Sequence, residues 1–445
     1  MKSDPVDYQA SVVLFCWHGD LENDRGGGNT LAIDRLRFLI DLGLEVHLLS
    51  RTPLGSDVAR GCKQDWVFND SLYRAIRRYL YQGLGESRIG RMMLSLGLRQ
   101  ATRFHQVFLE EKGRFHQAVS KIQEAKRAGP VASFRKRRNA LMIAGADQLM
   151  RLLKPDIVFA SFAWNAVIFD SCSEGMFKIL DTHDIQHRRA KVADASGGDL
   201  GDRDCTAEEE AAELRKADLL LGIQSDETAL LEQLCPDVKV VTAGHSPAVM
   251  HTLSATDDAR TLLYIANLYD PNVMGLKQFL KDDWPTLRAD GWELEVIGKV
   301  CSAFSRKVNG VEFLGMVDDL TPHYQSAAVV LNLAAYGTGL PIKTIEGLAA
   351  GKVVLSREEC CGCLDEDIPV LRFCSGEAAS CIFKLLDDPD ARRQIEEASA
   401  LYAKTDLSPE MVYSSVRSSL RDAGLLAPDQ ELPGSTMQAA GAEPD

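Results

Sequence analysis

The chain of 445 residues is too long for one ordinary hydrophobic core and points to two domains of about 200 residues each. Its apolar content of 45% and charged content of 26% are those of a globular protein, and no apolar run approaches the roughly 20 residues that cross a bilayer. A formal charge of −14 excludes a general nucleic-acid binder, and 11 scattered cysteines, an odd number, fit reduced thiols better than a disulfide framework.

Asp4 and Asp7 precede the apolar run Ser11 to Trp17, and no small-residue cleavage site follows it. The run therefore reads as a first strand and not as a signal peptide. A polar loop, His18 to Arg25, leads to Gly26-Gly27-Gly28-Asn29, read as a glycine loop, and from Thr30 the residues Leu31, Leu36, Leu39 and Ile40 recur at helical spacing. Gly43 stops that helix, and Leu44 to Leu49 is a second strand. Strand, glycine loop, helix, strand opens a doubly wound domain. The three consecutive glycines do not form a dinucleotide fingerprint, and as a plain turn they would need no ligand.

Residues 70–153 read as helices. Within them, 74–138 hold 16 Lys/Arg against Glu86, Glu110, Glu111 and Glu124, a local excess of +12 in an otherwise acidic chain. Tyr73, Tyr79, Tyr81, Met92, Phe104 and Phe108 are interleaved with the cations, and Arg135-Lys136-Arg137-Arg138 is the densest cluster. Basic and apolar residues mixed on helices fit an anionic lipid interface, while a solvated helical face explains each cluster taken singly. No nucleic-acid module surrounds the charges.

Asp156 to Ala160 and Lys178 to Asp181 are parallel strands, and the second runs into Thr182-His183-Asp184-Ile185-Gln186-His187-Arg188-Arg189. A His-Asp pair at the C-terminal end of a strand faces the crevice where open α/β sheets bind ligands. A structural His183 bonded to Asp184 is the plainer reading, and His183, Asp184 and His187 lack the second ligand cluster a metal site wants. A charged helix, Glu208 to Lys216, a strand, Ala217 to Ile223, a helix capped by Ser225 and a strand, Val238 to Val241, complete this half. Gly244-His245-Ser246-Pro247 then leads toward a polar linker at Thr256-Asp257-Asp258.

The α/β rhythm restarts with Leu262 to Ala266 as strand, Asn267 to Asn272 as loop, Val273 to Leu287 as helix and Trp292 to Gly298 as strand. The most informative stretch follows the apolar run Ala328 to Leu333. It is Gly337-Thr338-Gly339-Leu340-Pro341, then a helix carrying Lys343 and Glu346, closed by Gly351 before the strand Val353-Val354-Leu355. Glycines let a ligand approach the backbone, and a helix N-terminus favours phosphate. A lysine in the first turn is poorly placed for the helix itself but well placed for an anion. Glu346, one turn on, suits a pair of sugar hydroxyls. These are the parts of a nucleotide-diphosphate site. Cys360-Cys361-Gly362-Cys363 has no partner pair for zinc, and Asp365-Glu366-Asp367 is an inexpensive tripeptide in so acidic a chain. The tail from Ala427 has a disordered composition.

Gly337 to Gly351 and Asp181 to Arg189 resemble the donor-site signatures of the GT-B glycosyltransferases, in particular retaining family four. The resemblance implies an α/β chain of GT-B type: two doubly wound Rossmann-like domains facing a cleft, with a helical basic insertion in the first. Its expected bounds are 1–250 for the acceptor-side domain, 251–405 for the nucleotide-sugar donor domain, 406–426 for a final helix returning to the first domain, and 427–445 for the tail. The resemblance assigns the diphosphate to Gly337, Thr338, Gly339 and Lys343, with Asn267 and Asn272 standing where relatives carry Arg and Lys. Glu346 takes the ribose. His183 and Asp184, with Lys343, take the catalytic roles at the donor sugar, and Gly26, Gly27, Gly28, Asn29 and Arg188 close the cleft. Of the family's two glutamates Glu346 matches the second, and Thr338 stands at the first.

The implied activity is transfer of a sugar from a nucleotide diphosphate sugar to a glycan or lipid-linked acceptor, with retention, in surface polysaccharide or glycoconjugate synthesis. Neither a cofactor nor an essential metal is expected. Residues 74–138 are expected to touch anionic membrane from the cytoplasm, and nucleic acid is not an expected partner. Two other readings stay open: a sugar-nucleotide epimerase or phosphorylase on the same scaffold, and a degenerate, non-catalytic binding subunit.

Overall fold

A computed structural model of the chain describes residues 11–18, 27–51, 61–67, 140–188, 205–247, 259–337, 339–361, 364, 367–386 and 388–427. The basic region 74–138, the tail beyond 427, Gly26, Thr338, Arg189, Gly362, Cys363, Asp365 and Glu366 lie outside the described residues.

Two parallel sheets organise the chain. The first has seven strands in the order β3-β2-β1-β4-β5-β6-β7. They are β1 (Val12–Cys16), β2 (Glu45–Ser50), β3 (Gln64–Val67), β4 (Ile157–Ser161), β5 (Phe177–Asp181), β6 (Leu219–Gly222) and β7 (Lys239–Thr242). The central strands are buried on both faces, so they read as unbroken apolar runs. Alternation along them still divides the core. Val13 and Phe15 pack with helix α1 (Gly27–Asp41), whereas Leu14 and Cys16 pack with α2 (Ala140–Leu153) on the other face. Gly43, at a φ of 74°, turns the chain out of α1 into β2.

α3 (Ala207–Leu214) starts with a reciprocal box in which Thr206 accepts from Glu209 N and Glu209 accepts from Thr206 N. α4 (Ser225–Leu234) differs from the expectation: Gln224 occupies the cap position, and Ser225 is already inside the helix.

The second sheet has six strands in the order β10-β9-β8-β11-β12-β13. They are β8 (Thr261–Ile265), β9 (Glu293–Ile297), β10 (Val311–Gly315), β11 (Val329–Asn332), β12 (Val353–Arg357) and β13 (Val370–Phe373). The helix expected from Val273 to Leu287 is two, α5 (Asp270–Asp282) and α6 (Trp284–Ala289). Pro285 lacks an N–H to continue the ladder, so it is tolerated only where a new helix starts. α7 (Thr321–Ser326) precedes β11, and α8 (Ile342–Ala349) joins β11 to β12. Gly347 lets α8 lie close on the sheet: a Cβ there would stand 2.8 Å from Val354 and 3.2 Å from Val330. α9 (Ala378–Leu386) and α10 (Pro389–Thr405) finish this layer.

The chain then passes back. α11 (Pro409–Val412), α12 (Ser414–Asp422) and the residues that join and follow them put Tyr413, Val416, Leu420 and Leu426 into the core of the first sheet, beside Phe38 and Leu39. Each such aliphatic burial contributes about 1.5–3 kcal/mol. Ser11 Oγ donates to Leu425 O at 2.9 Å, and Lys239 meets Asp422 at 3.1 Å. In each sheet the strand order reverses beside the first strand, between β1 and β4 and between β8 and β11. Crevices beyond the carboxyl ends of the strands at such points are where open α/β sheets bind ligands.

Candidate active site between the two sheets

On the second-sheet side the site is built around α8. Pro341 occupies its cap position and no side chain caps it; Ile342 N and Thr344 N donate to Leu340 O and Pro341 O, so the turn is closed by backbone alone and its dipole points at the cleft. Asn332, buried at the end of β11, donates to Thr344 Oγ1 at 3.1 Å and Ser356 Oγ at 3.0 Å, which fixes α8 against β12. Lys343 Nζ donates to Asn272 Oδ1 at 2.7 Å and stands 5.2 Å from the ring centre of Tyr264. Asn272 is itself held, its amide donating to Asn267 O at 3.1 Å. The side chain of Asn267 is turned to its own loop, accepting from Leu268 N at 2.9 Å. Asn272 therefore joins Lys343, and Asn267 acts through its backbone.

Burial pushes the Lys343 ammonium down to about 8, against the opposing pull of Cys360 and Glu346. Burial likewise raises the Glu346 carboxyl, while His245 and Lys343 hold it back. Cys360, whose thiol donates to Ala334 O at 3.1 Å, is pushed up by burial to about 11 and stays a neutral thiol beside Lys343. No group of three or more metal-ligating side chains occurs among the described residues.

On the first-sheet side the ends of β1, β4 and β5 converge. Gly27, Gly28 and Asn29 are the first turn of α1 and not a loop, which corrects the sequence reading. The helix can begin on glycines because side chains crowd that end. A Cβ on Gly28 would stand 3.6 Å from Phe162, 3.7 Å from Trp17 and 3.9 Å from His183 Nδ1. Asn29 Oδ1 accepts from Trp17 Nε1 at 2.8 Å, which ties the turn to β1. Phe162 and His183, at φ of 67° and 60°, are two of the three non-glycine residues with positive φ among those described. They stack on each other, 4.3 Å between ring centres. Such backbone conformations cost roughly 1–3 kcal/mol each and cluster at functional sites.

The other residues of this segment are placed differently from the sequence reading. His183 Nε2 lies 3.4 Å from Asp181 Oδ2, a carboxylate that the sequence reading did not pair with it. Asp184 faces the second domain. His187 Nδ1 is 2.7 Å from the buried Glu210, which also accepts from Gln186 N and His187 N, so that histidine is structural. Glu227, buried behind this turn, is pushed up to about 9 by burial and by Asp184, and so carries a proton at neutral pH. Arg188 is exposed on the same turn.

The two halves meet at two points. A Cβ on Gly27 would stand 3.2 Å from Ile342 Cγ1, so the N-termini of α1 and α8 face each other. A Cβ on Gly339 would stand 2.9 Å from Asp184 Oδ1 and 3.5 Å from Ile223. Glycine at both positions lets the backbones approach across the cleft. The crossover between the domains is anchored nearby: Asp34 accepts from Ser246 N at 2.7 Å and lies 2.9 Å from His245 Nδ1, and Ser246 Oγ donates to Leu407 O at 2.7 Å. Sequence reasoning passed over Arg35, Tyr264 and Asn332, and it marked Asp181 only as the start of a signature. Of the first three, only Arg35 left a signal, a charge four residues after Leu31 on the apolar face of α1.

Residues 259–386 match the family described as Glycosyl transferases group 1. No curated protein sequence matches the chain. Among solved structures, a sucrose-phosphate synthase from Thermosynechococcus elongatus superposes with a TM-score of 0.62 at 14% identity, covering 93% of this chain and 99% of that one. HepE from Anabaena, solved in complex with UDP and glucose, superposes with a TM-score of 0.58 at 10% identity, covering 93% of this chain and 100% of that one. A glycosyltransferase from Rickettsia africae gives a TM-score of 0.56 at 9% identity, over 94% and 99% of the two chains. The stretch that carries Lys343 and Glu346 matches a group 1 glycosyltransferase domain, and the chain as a whole has the GT-B fold of the glycosyltransferase structures it superposes on.

Proposed function

We propose that the chain moves a sugar, with retention, from a nucleotide diphosphate sugar to a glycan or lipid-linked acceptor in surface polysaccharide or glycoconjugate synthesis. The observation that carries this reading is the meeting of two helix N-termini, at Gly27 and Ile342, beside a lysine already drawn in by Asn272. Helix N-termini and a cation are what a diphosphate leaving group needs. Charge that develops on the β-phosphate as the sugar departs is met by the α8 dipole and Lys343. Asn272 orients the ammonium. Glu346, three residues on, takes the ribose hydroxyls, and Gly337, Thr338 and Gly339 line the diphosphate.

His183 lies opposite, at the end of β5, to meet the donor sugar, with Asp184 on the rim and the α1 end and Arg188 toward the acceptor. Charge stabilisation by these groups needs no covalent nucleophile and no bound metal. UDP is the first nucleotide to test, because it is the one bound in HepE. Residues 74–138 supply the charge for contact with anionic membrane at the cytoplasmic face. No helix among the described residues is long and apolar enough to cross a membrane.

The test is calorimetric titration with UDP, GDP and ADP and their sugars, repeated with Glu346→Ala. Binding of one nucleoside diphosphate that weakens at least about tenfold in the variant, the scale of a lost hydrogen-bonded carboxylate, supports the site. Binding without sugar release, with acceptor lipid present, would instead favour a non-catalytic subunit.

A further inference from the structure

We infer that Asp181, clamped by the buried Arg35, is a positioning residue that sets the tautomer of His183 and ties this histidine to the crossover between the domains. The inference rests on the reading of His183 as a donor-sugar contact.

Asp181 is fully buried at the end of β5. Its Oδ2 accepts from Arg35 Nε at 3.0 Å and lies 3.4 Å from His183 Nε2, while Oδ1 accepts no hydrogen bond among the described residues. One oxygen thus bonds Arg35 and stands in charge contact, at 3.4 Å, with His183 Nε2. An ionised carboxylate only accepts hydrogen bonds, so the imidazole nitrogen turned toward it is the one that holds the proton. That leaves Nδ1, the nitrogen nearest Gly28, with its lone pair toward the end of α1. In this state His183 accepts a hydrogen bond from a sugar hydroxyl.

Arg35 determines where the carboxylate sits. Burial opposes its charge, but Tyr413, Asp181 and Asp34 more than compensate, and it stays a full cation. Its remaining donors go to Gly244 O at 2.5 Å, Ala243 O at 2.5 Å and Tyr413 Oη at 2.6 Å. Ala243 and Gly244 begin the crossover, and Tyr413 belongs to the segment that returns from the second domain. A shift of either connection moves the guanidinium, with it Asp181, and with that the ring of His183. Stacking on Phe162 leaves the ring little freedom to compensate.

The test combines selective 15N-histidine labelling with kinetics. His183→Gln removes one imidazole signal and so assigns it. In the unaltered protein at neutral pH this signal is expected in the Nε2–H form; an Nδ1–H form there overturns the inference, whatever the variants do. In Asp181→Leu no acceptor faces Nε2, so the fixed Nε2–H form is expected to give way to the Nδ1–H form or a mixture of the two. Release of nucleoside diphosphate from UDP-glucose, GDP-mannose or ADP-glucose, whichever the protein turns over, is expected to fall about 10- to 100-fold in kcat, as for other partners that orient a functional histidine, with KM little changed. An unchanged imidazole signal in that variant overturns the inference. A changed signal with an unchanged rate upholds the positioning and refutes the donor contact assigned to His183.

Discussion

Replacing Lys343 by Met tests the chemistry of the site through its pH dependence. Burial holds the ammonium down to about 8 in the free protein. A nucleoside diphosphate requires it charged, and the ligand's own last proton is lost near pH 6, so between pH 7 and 9 the lysine is the group at the phosphate that changes. With a value of about 8, roughly nine-tenths of the free protein is charged at pH 7 and about one-tenth at pH 9. Affinity should therefore fall about tenfold across that interval, and binding near pH 8 should take up about half a proton. Calorimetry in buffers of different ionisation enthalpy reads both quantities. In Lys343→Met, affinity at pH 7 should drop by about 1.5–3 kcal/mol, the range for a charge-assisted hydrogen bond, and the pH dependence should vanish.

The stability effect has the opposite sense. The unfolded chain binds the proton more tightly than the fold does, so the cost of burying the charge is fully present below about pH 8 and disappears as pH rises toward the ordinary lysine value of 10.5. Lys343→Met should gain most in thermal midpoint below pH 8. A wild-type affinity that is flat from pH 7 to 9, or a variant with the same slope, would refute the placement of Lys343 at the phosphate.

Arg35→Met should cost about 3–5 kcal/mol in urea denaturation, because Asp181 is left buried with its charge uncompensated. Gly275→Ala should destabilise by at least about 2 kcal/mol and weaken nucleotide binding as well. A Cβ there would stand 1.5 Å from Leu333 O, so α5 must move and carry Asn272 away from Lys343. For membrane contact, co-sedimentation with anionic vesicles should weaken when Arg135, Lys136, Arg137 and Arg138 are changed to Gln, by about 1 kcal/mol per charge at low salt, and should be absent with neutral vesicles.

The sequence alone determined the two repeats of parallel α/β structure, because strands buried on both faces must be continuous apolar runs and the helices between them must be periodic. It also marked the stretch around Lys343 and Glu346 and the histidine that ends β5, where glycines, a helix start and a strand end are local features of the chain. Tertiary structure alone decided what these residues touch. Lys343 meets Asn272 across 71 residues, and Arg35 reaches Asp181 across 146, Gly244 across 209 and Tyr413 across 378. The reading of Gly27 to Asn29 as a loop failed for the same reason: what makes glycines acceptable at a helix start is Trp17, Phe162, His183 and Ile342 pressing on that turn. Likewise the contact of His183 with Asp181, two residues back, is made at a positive φ that local spacing does not announce. Periodicity and local spacing encode which face a residue is on, but the partner across a packed interface is chosen by the fold as a whole.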